Sequence, residues 1–350
     1  MKKYISVLLA AIMMVCGLSA CGSVNDTSAK SGDDKLQIVT TIFPEYDWVM
    51  NILGDNPANA EVTMLLDNGV DLHSYQPTAD DILKISTCDM FIFVGGESDE
   101  WVEDALKEAT NKDMAVINLL EVLGDSIKEE EMVEGMQESE HEHEHEGADA
   151  DEHELEGADA DEHEHEHEAG EAEYDEHVWL SLRNAATLTD CISKELQRID
   201  AANASVYKTN TDAYISKLND LDKQYSDAVS AASVKTILFG DRFPFRYLTD
   251  DYGLTYYAAF AGCSAETEAS FETITFLAGK VDELSLHAVM TIEGNDHRIA
   301  ETIIQNTASK DQQILTMDSM QSATSKDVTA GTTYLSVMEK NLSVLKEGLK

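Results

Sequence analysis

The 350-residue sequence predicts an α/β protein: two similar α/β lobes with mainly parallel sheets, bridged by one long rigid helix, with a cleft between the lobes. Three observations carry this. Short β-branched apolar runs alternate with amphipathic stretches over residues 36–125 and again over 233–350, the order that builds parallel sheets through helical crossovers. Between the two series, Tyr207, Tyr214, Leu218, Leu221, Tyr225 and Val229 are spaced 7, 4, 3, 4 and 4, one helical face without Pro or Gly. The densest charge is confined to residues 126–176, so it interrupts the first series without belonging to it.

In the first lobe, LQIVTTIFP (36–44) reads as a buried strand. EYDWVMNILGD (45–55) follows as a helix with Trp48, Val49, Ile52 and Leu53 on one face and Gly54 as its stop. EVTMLL (61–66) is a second strand. Thr78 caps a helix over DILKI, with Asp81 at the position that reaches back to the cap. MFIFVGG (90–96), WVEDALKEA (101–109) and MAVINL (114–119) continue as strand, helix and strand. Residues 177–204 resume helical patterning and complete the lobe, and the bridging helix spans 205–232. In the second lobe TILFG, LTYYAAF, LHAVMTIE and QQILT are the strands, with helices between them.

Residues 1–20 have the charged start, apolar run and small residues of a signal peptide. The run is too short to span a bilayer. It ends Leu18-Ser19-Ala20-Cys21, which resembles the bacterial lipobox, so Cys21 is expected to carry the lipid anchor and 21–35 to be a tether. This places the mature chain at the extracytoplasmic face of the cell membrane, anchored by acyl chains. Cys88, Cys191 and Cys263 remain, an odd number with no CxxC spacing, and read as small buried residues with at most one disulfide.

The formal charge of −44 divides unevenly. Of the 68 acidic residues, 24 lie in the 48 residues from 129 to 176, which hold no Lys or Arg; the remaining 44, against 24 Lys and Arg, leave −20 elsewhere. No basic face for nucleic acid is expected. EGADADEHE occurs at 146–154 and again at 156–164. Such a segment cannot form a core, so 126–176 is expected to be a disordered loop. Its His141, His143, His145, His153, His163, His165 and His167 among carboxylates offer weak accessory metal sites. Two HExxH matches arise there from simple His/Glu alternation and lack the ordered, core-facing helix a zinc protease needs. No GxSxG elbow is present, and the chain is not expected to be an enzyme.

Ligands of open α/β sheets gather at the carboxyl ends of strands. There the sequence places His73, Asp241 and Glu293, and His177 stands where an ordered segment resumes after the insert. Each has a plain alternative, such as an exposed loop His or a helix or turn cap. Together two imidazoles and two carboxylates suit a closed tetrahedral divalent site. His287, inside a strand, reads as structural, and His297 as solvent-facing.

IVTTIFPEYDWVMNILGD, DLHSYQPTADDI, DEHVWLSL and FPFRYLTDDYGL, in that order, resemble the metal-binding lipoproteins of bacterial zinc/manganese ABC importers. The resemblance implies two lobes with metal between them, and His73 and His177 as ligands. It implies an acidic fourth ligand at Glu293, and a His- and acid-rich loop just before the second ligand. At the register of the third ligand stands Arg242, which has no lone pair to offer. Asp241 is the substitute, with Glu266 and Glu268 in reserve. The implied function is capture of Zn2+ and delivery to an ABC importer permease by a monomeric receptor. A manganese receptor, and a surface metal buffer working through the loop, are the alternatives. A rigid bridging helix implies limited lobe motion.

Overall fold

The computed structural model describes residues 35–137, 173–264, 268–294 and 296–350. The first lobe is built from β1 (Gln37–Thr40), α1 (Phe43–Leu53), β2 (Glu61–Met64), α2 (Ala79–Thr87), β3 (Met90–Phe93), α3 (Trp101–Lys107), β4 (Ala115–Asn118) and α4 (Leu119–Leu123), then α5 (Leu182–Ile199). Helix α6 (Ala204–Ala231) leads to β5 (Thr236–Phe243), α7 (Arg246–Tyr252), β6 (Thr255–Ala261), α8 (Phe271–Leu284), β7 (Ala288–Thr291), α9 (Arg298–Asn306), β8 (Gln313–Thr316), α10 (Ser325–Thr329) and α11 (Tyr334–Gly348). The sheets run β2-β1-β3-β4 and β6-β5-β7-β8. Every pairing in both is parallel. The two lobes therefore repeat one topology, as the alternating pattern predicts.

Local chemistry explains the starts of the helices. Thr78 Oγ1 accepts from Asp81 N at 3.2 Å while Asp81 Oδ2 accepts from Thr78 N at 2.9 Å, a reciprocal cap. At α1 the buried Glu45 reaches back, its Oε2 accepting from Thr41 N at 2.8 Å and Ile42 N at 3.2 Å. In α6 all six residues of the expected face are buried, together with Thr211. At about 1.5 Å per residue its 28 residues reach about 42 Å. It is fastened to both lobes. Asn210 Nδ2 donates to Ile52 O at 3.0 Å and Tyr214 OH to Asp47 Oδ2 at 3.2 Å in the first, and Tyr225 OH to Met338 O at 2.6 Å in the second.

The main core is continuous across the lobe boundary. Trp48 of α1 meets Tyr334 of α11 edge to face, centroids 5.5 Å apart. Trp179 Nε1 donates to Ser319 O at 2.8 Å and Tyr334 OH to Trp179 O at 2.7 Å. A separate smaller core lies in the second lobe, around Leu277, Val289 and Ile303. Among the described residues no helix is long and apolar enough to cross a membrane.

The expected loop is ordered at both roots. Glu129 and Tyr174 form an antiparallel bridge. Glu130 N donates to Glu173 O at 2.8 Å, and Asp175 N to Lys128 O at 2.9 Å. Gln137 N donates to Ala259 O at 3.0 Å, tying the outgoing root to β6. Backbone pairing outweighs charge repulsion at these roots, so residues 126–137 and 173–176, expected to be disordered, are ordered. What is left of the expected segment, 138 to 172 with its seven histidines, lies outside the described residues.

Buried carboxyls set a pH dependence. Burial, reinforced by the negative charge of Asp99, pushes the Glu45 pKa up to about 8. Burial, with Glu176 adding to it, pushes Asp99 up to about 7. Both groups hold their proton more tightly folded than unfolded. The stability they contribute is full below the ordinary carboxyl range and is lost as pH rises through about 7 to 8. Urea denaturation is expected to show stability falling from about pH 5 to about pH 8, by at most about 1.4 kcal/mol per unit for each group. Glu45→Gln should flatten the profile. A wild-type profile that rises over this range would contradict the assignment.

Candidate metal centre

His73 sits in a short turn, Leu72–Ser74, whose cap is Asp71: Oδ1 accepts from His73 N at 3.0 Å. His73 Nδ1 lies 2.8 Å from Ser98 Oγ and 3.4 Å from Glu176 Oε2. Glu176 is held in turn by Ser98 N, 2.9 Å from Oε1. Gly96 makes room for it: φ is +82° and a Cβ would fall 2.3 Å from Glu176 Oε1. His177 is fully buried. Asp175 Oδ1 accepts from His177 N and from its Nδ1, both at 2.9 Å. Each imidazole thus has Nδ1 beside an acceptor, the outer-partner arrangement that orients a ring for metal binding through Nε2. The two Nε2 atoms converge to 3.2 Å. Two nitrogens 2.0–2.1 Å from one tetrahedral zinc lie about 3.3 Å apart, so the pair is spaced to share an ion.

The second lobe brings Cys263 to this pair. It follows β6 by two residues, and its sulfur and the two imidazoles offer ligand atoms all within 4.8 Å of one another. Cys263 N donates to Glu130 Oε1 at 2.9 Å. Burial, then the charges of Glu130, Asp175 and Glu176, push its thiol up. Burial and the neighbouring His177 hold His73 well below the usual imidazole range, so it is neutral, the form that binds metal. A cavity of about 260 Å³ opens beside His73 and Cys263, lined also by Glu97, Glu130, Glu173 and Glu176. Its carboxylates favour a cation at the mouth.

Of the four ligands expected from the sequence, the structure joins His73 and His177. Asp241 does not end its strand. β5 runs on to Phe243 with a register shift between Phe239 and Arg242. The carboxylate takes backbone amides instead, Oδ1 from Arg242 N at 2.9 Å and Oδ2 from Ile292 N at 3.3 Å. It lines a second cavity with Glu268. Glu293 binds the loop after β8, accepting from Ser319 N at 2.6 Å, Ser319 Oγ at 2.7 Å and Gln321 N at 3.2 Å. Neither belongs to the group formed by His73, His177 and Cys263.

Arg242 pairs with Asp71. Burial alone would raise the Asp71 carboxyl, but the guanidinium, with His73, holds it below the ordinary range. Gln321, its amide assigned from the hydrogen-bond network, donates to both Asp71 oxygens at 3.0 Å and sets its own oxygen 2.8 Å from His177 Nε2. Arg242 therefore braces the His73 turn from the register where a ligand was expected. His287 is structural, Nε2 2.8 Å from Glu347 O. No disulfide joins Cys88, Cys191 and Cys263. Cys21 and Glu266 lie outside the described residues.

Sequence reasoning passed over Cys263 because it belongs to no ligand motif. The available signal was its place just past a strand's carboxyl end, after a glycine. Gly262 lies against His177: a Cβ there would stand 3.1 Å from its Cε1 and 2.9 Å from Phe243 O.

Two parallel α/β lobes joined by one long helix, with metal-type ligands meeting at their boundary, define a helix-bridged two-lobed binding protein. The chain belongs to the family described as zinc-uptake complex component A, periplasmic, which matches residues 38–348. It is 32% identical over 351 residues to the zinc-binding lipoprotein AdcA of Streptococcus pneumoniae, covering 99% of this chain and 61% of the relative. It thus spans about three fifths of the length of that relative. It is 28% identical over 344 residues to the high-affinity zinc uptake system protein ZnuA of Bacillus subtilis, covering 98% of this chain and 96% of the relative. The crystal structure of the Zn(II)-bound ZnuA-like domain of Streptococcus pneumoniae AdcA superposes with a TM-score of 0.65 at 27% identity, over 90% of this chain and 99% of that domain. These relatives bear the names of zinc-binding and zinc-uptake components, not of enzymes.

Proposed function

We propose that this chain captures zinc between its lobes and hands it to the permease of an ABC importer, as a monomeric receptor anchored through Cys21 at the extracytoplasmic face of the membrane. The observation that carries the reading is the meeting of His73 Nε2 and His177 Nε2 at 3.2 Å, each ring held at Nδ1 by acceptors. The names of the relatives favour zinc over manganese. The insert histidines serve as weak accessory sites whose roots, at Glu130 and Glu173, border the same cavity. Tethering them there raises the local metal concentration without adding a second tight site. Zinc is cargo here, and no reaction follows its binding.

Calorimetry tests this against the buffer reading. With residues 138–172 replaced by a short Gly/Ser linker, the mature chain is expected to keep one tight site and lose the weak ones. Loss of the tight site on that replacement would move the function into the insert.

A further inference from the structure

We propose that the Cys263 thiolate is the third ligand of the ion held by His73 and His177, making the centre a two-histidine, one-thiolate site. The inference rests on the cleft reading above and names the donor that reading leaves open.

Three observations carry it. First, the sulfur and the two imidazoles have ligand atoms within 4.8 Å of one another. Zn–S of 2.3 Å and Zn–N of 2.0–2.1 Å would set S and N about 3.6 Å apart on a tetrahedral ion, so a shift of at most about 1.2 Å would bring the three donors to one ion. Second, the segment bearing Cys263 is fixed against the imidazole it would join. Gly262 abuts the His177 ring, Cys263 N is held by Glu130 at 2.9 Å, and Ser264 N donates to Ala261 O at 3.3 Å. Third, the second-lobe residues at the two expected ligand positions are engaged. Arg242 is turned to Asp71, Asp241 takes two backbone amides, and Glu293 takes the Ser319 and Gln321 amides. On binding, the S–H bond breaks, a sulfur–metal bond forms and the proton leaves to solvent. A thiolate is a soft donor that favours zinc, cobalt and cadmium over manganese.

Cobalt(II) substitution of the mature chain reads the donor directly. The wild type is expected to show a thiolate-to-cobalt charge-transfer band in the near ultraviolet beside tetrahedral visible bands. Cys263→Ser should lose the charge-transfer band, keep the visible bands, and bind zinc more than about 100-fold less tightly, beyond the 10–100-fold of an outer-shell change. Zinc should also protect Cys263, but not Cys191, from alkylation in the unmutated protein, which decides the matter if the variant folds poorly. Visible bands that vanish in His73→Ala, with no charge-transfer band in the wild type and no protection, would overturn the thiolate while leaving the cleft reading intact. Cobalt binding indifferent to both His73→Ala and Cys263→Ser would overturn both.

Discussion

Replacing His73 and His177 together by Ala is expected to abolish the tight zinc site while leaving the weaker binding of the insert unchanged. Each ring supplies one donor, and each is already aligned by an acceptor at Nδ1 (Ser98 and Glu176 for His73, Asp175 for His177). Changing such an outer partner costs 10–100-fold in affinity in metal sites generally, so loss of a ligand itself should exceed about 100-fold for each single variant. The double variant removes both imidazoles that gather with Cys263. Thermal denaturation gives an independent measure. Zinc at about 100 times its dissociation constant should stabilise the wild type by about 2.7 kcal/mol and the double variant by nothing. An undiminished zinc-induced shift in the double variant would place the tight site elsewhere.

The histidines could be read from the sequence because each sits in a compact local motif. Asp71 caps the turn that presents His73, and Asp175 binds both the backbone and the ring of His177. Motif and geometry are the same few residues. The lobes were equally open to reading, since strand and helix periodicities are local properties, and all eight strands fall on expected apolar runs. The second-lobe donors were not. Whether Asp241 ends a strand or lies within one depends on where β5 stops pairing with β6: Gly240 reads as a stop, but it marks only a register shift inside the strand, which runs on to the residue before Pro244. Glu293, expected as an acidic ligand, has its oxygens on Ser319 and Gln321, a loop 26 to 28 residues further on. Cys263 meets His177 only after the bridging helix folds the chain back, a tertiary fact with no local signature. The roots of the insert pair with each other across about 45 intervening residues, which composition alone cannot reveal.

Trp179→Ala is expected to have the largest effect on stability, about 3–5 kcal/mol, and to weaken zinc binding with it. The indole is wholly buried at the boundary between lobes. Its Nε1 donates to Ser319 O at 2.8 Å, its carbonyl accepts from Tyr334 OH at 2.7 Å, and its ring lies 5.3 Å from that of His177. Ser319 is the same residue whose N and Oγ hold Glu293, and Gln321 just beyond it binds Asp71 and faces His177. Removing the indole therefore opens a cavity, strands the Ser319 carbonyl and loosens the brace behind both histidines. Trp179→Phe separates these effects. It keeps most of the ring volume and loses the N–H, so its cost should approach the roughly 1–3 kcal/mol of one buried unsatisfied acceptor. Urea denaturation and zinc titration of the two variants, read together, test whether the lobes are locked. A bridging helix fastened at both ends and a shared core predict small local shifts rather than wide hinge closure when metal binds. If Trp179→Ala costs less than about 1 kcal/mol, below the range for any core Trp truncation, this boundary is a hinge and the lobes are free to part.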